Sequence, residues 1–368
     1  MKKYHKSYSN KEFAAKYHAF RNNVNYLVKH NEKYTAGNSR YTISPHADVS
    51  PAEFARTHLQ TVFRKTPLKP RTKVAPMTPT EVVDGVPEVE KNEVRDLSVN
   101  ITLASWVGTS KPRPPRTMKT TNNVAFLYPA TELEEVEIVD LPSAFLEHQK
   151  PGALPAVRDQ GACGAGWAHA VASLISAFEH TQNKVPALEL SAEELIACVP
   201  DNGGCFGGYV ENALQFIAAT EGTLALNKVF PPHNSTNVRD KCPRQLESFT
   251  ERSAIPIRGF SAVGDTVEDL KRAIMRNPVL VSLDGTALQF FSPFSIFGLG
   301  DECVKTTPAA LNHVVLLVGW DLDPLTGAEY FIAMNSWGPS WGQGGFFRIS
   351  TETAVQCGIT HLAIHPVR

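Results

Sequence analysis

Three short stretches of the chain combine residue types that could perform acyl transfer. The run from Gln160 to Trp167, QGACGAGW, opens a helical pattern, whereas Asn312-His313-Val314 precedes a strand-like run and Asn335-Ser336-Trp337-Gly338 follows another. A histidine can hold and return a proton, an asparagine can orient that histidine, and a glutamine can donate to a developing oxyanion. Together these residue types point to attack on a carbonyl group by an activated nucleophile.

The same stretches resemble the papain-like cysteine proteases, specifically the cathepsin L-like proenzymes. That family carries QGxCGSCW at the head of a central helix, a histidine before a strand, and NSWG in a following loop. His313 falls within the roughly 130–150 residues at which the family's histidine follows its nucleophile. The run WGQGGF, 341–346, also resembles a family pattern. The resemblance implies that His313 is the base, Asn335 its orienting partner, Gln160 the oxyanion donor and Trp337 a shield over the pair.

Position 166 departs from this family pattern, because it holds glycine where the family has its nucleophilic cysteine. A thiol at a helix N-terminus is favoured as thiolate, and a neighbouring histidine holds its proton. Gly166 cannot form an acyl-enzyme, although its backbone N–H remains. Cys163 does not substitute, since it matches a cysteine that the family ties up in a disulfide. The alternative, a helix-capping glycine in an unrelated protein, leaves the rest of the constellation unexplained.

The six cysteines all lie after residue 162, and none forms a CxxC pair, which argues against a zinc ribbon or a thioredoxin-like site. Their even number, with glycosylation sequons at Asn100 and Asn234, favours three disulfides in an oxidising compartment. We expect no metal and no cofactor. The resemblance implies the bridges Cys163–Cys205, Cys198–Cys242 and Cys303–Cys357.

The resemblance also implies a substrate groove. The run 205–208, CFGG, is similar to a family CxGG whose glycines line that groove. With Leu362 at the floor of the main specificity pocket and no acid there, an apolar or aromatic P2 residue is expected. His169, where the family usually has an aromatic, is expected to be a packing histidine. The implied groove residues are Gly207, Gly208, Tyr209, Val210, Ser282, Val314, Trp337 and Leu362.

The hydrophobic periods predict the elements that must position these residues. Residues 10–32 form an amphipathic helix whose apolar face packs on something else, and 50–53, SPAE, begins a second helix with a cap and an N1 proline. The predicted apolar face is Phe13, Tyr17, Phe20, Val24 and Leu27. Further helices are predicted from Trp167 to Phe178, at Ala192–Cys198 and at Asn212–Thr220, and strands at Val279–Leu283, Val314–Gly319, Tyr330–Met334 and Phe346–Ile349.

Helices first and strands later predict an α+β protein with two unlike halves and a groove between them. The resemblance implies the papain-like two-domain fold, with a helical left domain and a β-barrel-like right domain, preceded by a helical inhibitory propeptide. We expect the peptidase domain at 138–368, mainly helical over about 138–255 and mainly β over about 256–368. Its start, Leu141-Pro142, resembles the family's usual mature N-terminus.

The first 64 residues are expected to be the propeptide. In the family such a segment runs backwards through the cleft until acid and proteolysis remove it. Residues 65–137, rich in proline, are interpreted as a linker or extended propeptide, with a small β-rich subdomain as the alternative. The propeptide helix pattern consists of Glu12, Lys16, Phe20, Asn23, Leu27 and Asn31, and a companion motif survives as Ser44, His46 and Asp48.

The charge balance and the hydropathy of the chain limit the classes of partner that we expect. With 36 Lys+Arg against 37 Asp+Glu, nothing in the charge favours nucleic acid or an anionic membrane surface. No apolar run approaches the roughly 20 residues of a membrane-spanning helix. The start, MKKYHKSYSN, shows no secretory signal, so a lysosomal, endosomal or secreted location would require a trimmed or recombinant start. The expected partners of this monomer are protein or peptide substrates, its own propeptide and cystatin-like inhibitors.

Two hypotheses account for Gly166. In the first, the chain is a zymogen whose nucleophile was replaced so that the proform stays uncut, which suits the intact His313, Asn335 and Gln160. In the second, it is a natural pseudoprotease that binds peptides or proteins in an uncut groove, which suits His169 and the long linker. A storage role would need neither the groove glycines nor the histidine–asparagine pair.

Overall fold

A computed structural model of the chain describes residues 4, 6–33, 40–59, 140–220, 222–230, 242, 251–253, 256–300, 302–303 and 310–368. All of these residues belong to one compact unit. The predicted linker over 65–137 and both sequons lie outside the described residues. Across the ranges that the structure describes, no helix combines the length and apolar character needed to cross a membrane.

The helices begin where the sequence offers caps. Ser50 is the N-cap of the second helix, and its hydroxyl accepts from the backbone N–H of Glu53 at 3.2 Å. Ser191 and Thr266 cap two later helices in the same way. In the described residues the helices are α1 (Asn10–Lys33), α2 (Pro51–His58), α3 (Gly166–Asn183), α4 (Ala192–Cys198), α5 (Val210–Ala219) and α6 (Val267–Arg276).

The β half is a sheet of seven strands in the order β1-β7-β2-β4-β5-β6-β3. The central pairings are antiparallel, and β3 alone among the described strands pairs in parallel, with β6. Short apolar runs form the middle of the sheet because both of its faces are buried there. The strands are β1 (Gly259–Ala262), β2 (Val279–Leu283), β3 (Ile296–Phe297), β4 (His313–Leu322), β5 (Glu329–Met334), β6 (Phe346–Ser350) and β7 (Ala363–Val367). The predicted α+β class is confirmed.

The N-terminal segment, of which residues 4, 6–33 and 40–59 are described, packs on the β half. Phe54 and Leu59 join its hydrophobic core beside Trp337 and Leu288. Burying side chains of this size stabilises the contact by roughly 1.5–3 kcal/mol each. Backbone bonds extend the contact, since Thr42 N–H donates to the Phe290 carbonyl at 2.8 Å.

One prediction about α1 is wrong. Phe13 and Tyr17 were expected on its packed face, yet they are 48% and 50% exposed and stack on each other. The buried side of α1 is instead fixed by polar anchors and one leucine. Asn23 donates from its side chain to the Ala47 and Val49 carbonyls at 2.8 Å, and Leu27 is buried. The helix is therefore oriented by hydrogen bonds as much as by its apolar stripe.

Candidate active site

Gly166 is the first residue of α3, directly after a turn tied down by the Cys163–Cys205 disulfide. The turn is also closed by backbone, since Gly164 N–H donates to the Cys205 carbonyl at 2.8 Å. Its backbone N–H therefore lies at the N-terminus of an 18-residue helix, where the helix dipole is positive. This N–H can therefore act as an oxyanion donor.

His313 and Asn335 meet because of the sheet. His313 begins β4, Asn335 follows the last residue of β5, and the two strands are antiparallel neighbours. The start of β4 and the end of β5 therefore lie side by side, and there His313 Nε2 and Asn335 Oδ1 are 2.8 Å apart. Both side chains are buried. Burial lowers the pKa of His313 to about 4, although the bond to Asn335 acts in the opposite direction.

Trp337 covers the histidine. Its ring stacks on His313 with centroids 4.6 Å apart, and Trp341 meets it edge-on at 5.0 Å. Trp337 is only 1% exposed. An indole in this place excludes water from the His313–Asn335 hydrogen bond, which strengthens the electrostatic coupling between the two side chains.

Gly166 faces His313 at very short range. A Cβ atom built on Gly166 would lie 3.0 Å from His313 Nδ1 and 3.0 Å from its Cε1, with Gln160 Oε1 at 3.3 Å. His313 Nδ1 is buried and has no hydrogen-bond partner among the described residues. The predicted base thus points its second nitrogen at the place where a residue 166 side chain would begin.

Gln160 is held by two contacts to the Asn335–Trp337 loop. Its backbone N–H donates to the Ser336 carbonyl at 2.9 Å, and Ser336 Oγ donates to its Oε1 at 2.6 Å. Its Nε2 then donates to the His58 carbonyl at 2.9 Å and to the Cys163 carbonyl at 2.8 Å. The predicted oxyanion donor is thus already hydrogen-bonded to a backbone carbonyl of the N-terminal segment.

The implied groove residues lie on two elements. On the sheet, Ser282 pairs with Val314, and Ser282 N–H donates to the Leu362 carbonyl at 3.1 Å, so these three lie together. On the helical half, Gly207 and Gly208 lead into Tyr209, the N-cap of α5, and Val210, its first residue. Gly207 has φ +118°, a value that favours glycine. Gly208 has no room for a side chain, since an added Cβ would lie 2.7 Å from Trp167 Cε2.

The structure contains three disulfides. They join Cys163 to Cys205, Cys198 to Cys242 and Cys303 to Cys357, with Cα–Cα separations of 4.5, 5.0 and 4.6 Å. These are the pairs that the resemblance implies. The described residues include no free cysteine.

Sequence reasoning named His46 only as part of a propeptide motif, and it missed Phe54 and His58, which cover the cleft together with it. His46, Phe54 and His58 surround the free face of Trp337 with ring centroids 5.6, 5.2 and 6.3 Å away. His58 packs on Phe54 at 5.0 Å, four residues earlier on α2. The spacing of these two aromatic rings was a usable signal, since residues four apart share one helix face.

Known proteins match the chain in two parts. Residues 141–367 match the family model described as papain family cysteine protease, and 1–54 match the cathepsin propeptide inhibitor domain. Vignain from Phaseolus vulgaris is 30% identical over 299 residues, covering 78% of this chain and 75% of the relative.

Two solved structures share the fold. A recombinant stem bromelain precursor has a TM-score of 0.68 and 19% identity and covers 100% of this chain and 96% of its own. Digestive procathepsin L 3 from the Tenebrio molitor larval midgut has a TM-score of 0.65 and 22% identity, covering 99% and 95%. The fold is therefore papain-like, with a propeptide. The chain belongs to the papain family of cysteine proteases and is a proform that carries a cathepsin propeptide inhibitor domain.

Proposed function

We propose that this proform does not cleave peptide bonds as written, because the position of its nucleophile is Gly166. The observation that carries the proposal is the geometry of His313, which is bonded to Asn335 and directs Nδ1 at Gly166. A base and its orienting partner are in place, and the atom that they would activate is missing. On this reading, one side chain separates the chain from a working peptidase.

The proposal assigns a role to each neighbouring group. With cysteine at 166, His313 would take the thiol proton, and the thiolate would attack the scissile carbonyl carbon. Gln160 Nε2 and the backbone N–H of residue 166 would stabilise the oxyanion. His313 would then return its proton to the leaving amine, and water would hydrolyse the acyl-enzyme. Asn335 keeps the imidazole oriented throughout, as the third member of such triads does.

The N-terminal segment acts in this proposal as the inhibitor of its own cleft. Support comes from the Gln160 contact, because the oxyanion donor is occupied by the His58 carbonyl. Leu59 adds to the obstruction. Its Cδ2 lies 3.0 Å from where a Cβ on Gly285 would be, and that same site is 2.9 Å from His313 Cβ. A substrate carbonyl cannot reach the donor until this segment leaves.

A second candidate function is peptide binding by a natural pseudoprotease. The close approach of His313 to Gly166 favours it, since a separation of 3.0 Å leaves no room for a Cβ unless the ring retreats by a few tenths of an ångström. The Asn335 bond and the Trp337 stack both resist that retreat. In this alternative, the groove holds an extended peptide by the same contacts that now hold residues 58 and 59.

The remaining assignments follow the family. We propose protein or peptide substrates with an apolar or aromatic P2 residue, on the basis of Leu362, Val314 and Ser282. Cystatin-like inhibitors are proposed as further partners of the open cleft, and the chain is proposed to be a monomer. Three disulfides suit a lysosomal, endosomal or secreted location.

Gly166→Cys is the decisive variant. After removal of the propeptide, cleavage of a fluorogenic peptide with an apolar P2 residue is measured at pH 4–7. Turnover should exceed that of the glycine form on the order of 10⁴-fold or more. His313→Ala in the Gly166→Cys background is the matched control and should abolish it.

Absence of turnover in a folded, propeptide-free Gly166→Cys sample would overturn the zymogen proposal. The pseudoprotease alternative then makes its own prediction. The propeptide-free glycine form should bind the same peptide uncut, as measured by fluorescence anisotropy, and Gln160→Ala should weaken that binding. A chain with neither property would have a different role.

A further inference from the structure

The first turn of α3 forms one half of a candidate anion site in the cleft. The first N–H groups of a helix have no acceptor within the helix, and the 18 residues of α3 give its N-terminus a partial positive charge. Gly166 places no side chain in front of these groups, so an oxygen atom that binds there lies directly before His313. The separation is short, since a Cβ on Gly166 would be 3.0 Å from His313 Nδ1.

His313 supplies the other half of this site. Its side chain is fully buried, and in the part of the chain that the structure describes its Nδ1 has no hydrogen-bond partner. The Asn335 atom that faces Nε2 is an oxygen, because the same Oδ1 accepts from Ser336 N–H at 2.8 Å. Nε2 therefore carries the hydrogen of the neutral ring. Nδ1 is free to take up a proton and to donate it to an anion in front of Gly166.

A backbone carbonyl of the N-terminal segment already lies in this part of the cleft. The His58 oxygen accepts from Gln160 Nε2 at 2.9 Å, while His313 Nδ1 stays unbonded among the described residues. An amide carbonyl has one oxygen, whereas a carboxylate has two. One carboxylate oxygen can accept from Gln160 Nε2 and the Gly166 N–H, and the other can accept from a protonated His313 Nδ1. The donors therefore fit a carboxylate better than the amide that now covers them.

The ionisable groups around His313 do not provide this missing acceptor. Asp159, before α3, and Asp284, after β2, each already accept a backbone N–H bond, at 2.9 and 3.0 Å. Neither contributes to the pKa of His313, which burial lowers and Asn335 raises. His58, which interacts electrostatically with His313, leaves the cleft together with the other histidines of the N-terminal segment. A proton on His313 in the open cleft is therefore balanced by the charge of the ligand.

We propose that the open cleft of the glycine form binds peptides that end in a free α-carboxylate, which is held by Gln160 Nε2, the Gly166 N–H and a protonated His313. The penultimate residue of such a peptide is apolar or aromatic, because it occupies the P2 pocket proposed at Leu362. The inference rests on the proposed function, since the groove must accept a peptide and leave it uncut. His313 takes its proton from solvent, so binding of a carboxylate consumes about one proton, whereas binding of a C-terminal amide consumes none.

The test uses the full chain with Phe54→Ala and Leu59→Ala, because these changes remove two buried anchors of the N-terminal segment and release it from the cleft. A fluorescent peptide with an apolar penultimate residue is titrated as the free acid and as the C-terminal amide, and anisotropy measures binding across pH 4–7. The acid should bind on the order of 10-fold tighter than the amide. Its affinity should fall about tenfold per pH unit above the pKa of His313 in the open cleft. Calorimetry in two buffers should find uptake of about one proton for the acid alone.

Two further variants identify the group that reads the carboxylate. His313→Gln keeps a polar side chain that cannot take up a proton, so it should bind the acid and the amide equally. His180→Gln, on α3 but outside the cleft, is the matched control and should keep the preference for the acid. Equal affinity for both peptides with His313 present, no proton uptake, or binding of neither peptide would overturn the inference. Failure of the proposed function is seen separately, as cleavage of the peptide by the glycine form in mass spectrometry.

Discussion

The two walls of the cleft differ in how firmly their functional residues are fixed. On the β wall, His313 is held by Asn335, by the Trp337 stack and by its place at the start of the central strand of a seven-stranded sheet. On the helical wall, position 166 is glycine, so that the site there consists of its backbone and of Gln160. The β wall therefore holds its histidine and asparagine in a fixed geometry, whereas the helical wall offers no side chain at position 166.

A histidine–asparagine pair can be retained for two reasons, because it stabilises the fold or because it serves catalysis. The pair is part of a buried network, and removing either partner would leave a buried polar atom unsatisfied, at a cost of about 1–3 kcal/mol. Packing alone is therefore enough to retain it. An intact pair therefore shows that the fold is preserved, and both proposals for the function of the chain retain it.

The largest expected effect comes from breaking the β wall itself. Trp337→Ala should lower the free energy of unfolding by about 3–5 kcal/mol, because it empties a fully buried site that five other aromatic side chains contact. Urea unfolding followed by circular dichroism measures the loss. Phe206→Ala is the matched control, since Phe206 is 79% exposed on the helical wall and its truncation should change stability by less than about 0.5 kcal/mol.

A small loss for Trp337→Ala would mean that the β wall is not held by this aromatic cluster. The geometry of His313 would then need another source, and its retention would become an argument for function. A loss of the expected size supports the view that packing is sufficient.

Both walls were predicted to a similar degree, since α3, α4 and α5 begin within two residues of the predicted helices. Apolar runs located β2, β4, β5 and β6 to within a few residues, because buried strands are short and continuous in hydrophobicity. Helix α6 was missed, although Thr266 at its start caps the backbone of Asp269. Val267, Leu270 and Ile274 recur in it at helical spacing, so this apolar period and the cap together were a usable signal.

The resemblance implied that the N-terminal segment covers the cleft, but the contacts that hold it there could not be predicted from the sequence. His58 and Gln160 are about a hundred residues apart, and their bond depends on how the N-terminal segment crosses the sheet. The close approach of His313 to Gly166 was equally inaccessible. Motif spacing identifies which residues meet, but a separation of 3.0 Å is set by the packing around them.

A second, smaller effect should be a change with pH in the free energy with which the N-terminal segment docks on the cleft. Burial, and then the nearby His313, lower the pKa of His58 from 6.5 to about 4. The undocked segment therefore binds a proton at higher pH than the docked one. Docking should be strongest above pH 6.5, weaken as the pH falls towards 4, and level off below that. The full loss from His58 is roughly 3 kcal/mol.

The charges facing His58 do not reverse this sign. Lys6 and Lys16 also lower its pKa, and only Glu53 raises it. Native-state hydrogen exchange of the α2 amides between pH 7 and pH 4, corrected for intrinsic rates, measures the docking free energy. His58→Asn can still pair with Thr57 and should flatten most of the profile, with the remainder from His46, whose pKa burial also lowers. An unchanged profile in His58→Asn would contradict this assignment.

The smallest expected effect concerns the helical wall and measures how much Gln160 contributes to holding the N-terminal segment in the cleft. Gln160→Ala removes the donor to the His58 carbonyl, and the opening free energy of α2 should fall by about 1–2 kcal/mol, or roughly 5- to 30-fold faster exchange. Lys150→Ala, at an exposed site, is the control and should leave exchange unchanged. If Gln160→Ala also leaves it unchanged, residues 58 and 59 are held by the β wall alone. If exchange accelerates as expected, the donor that would stabilise an oxyanion still binds a carbonyl, which is the property that both the zymogen and the peptide-binding proposals require.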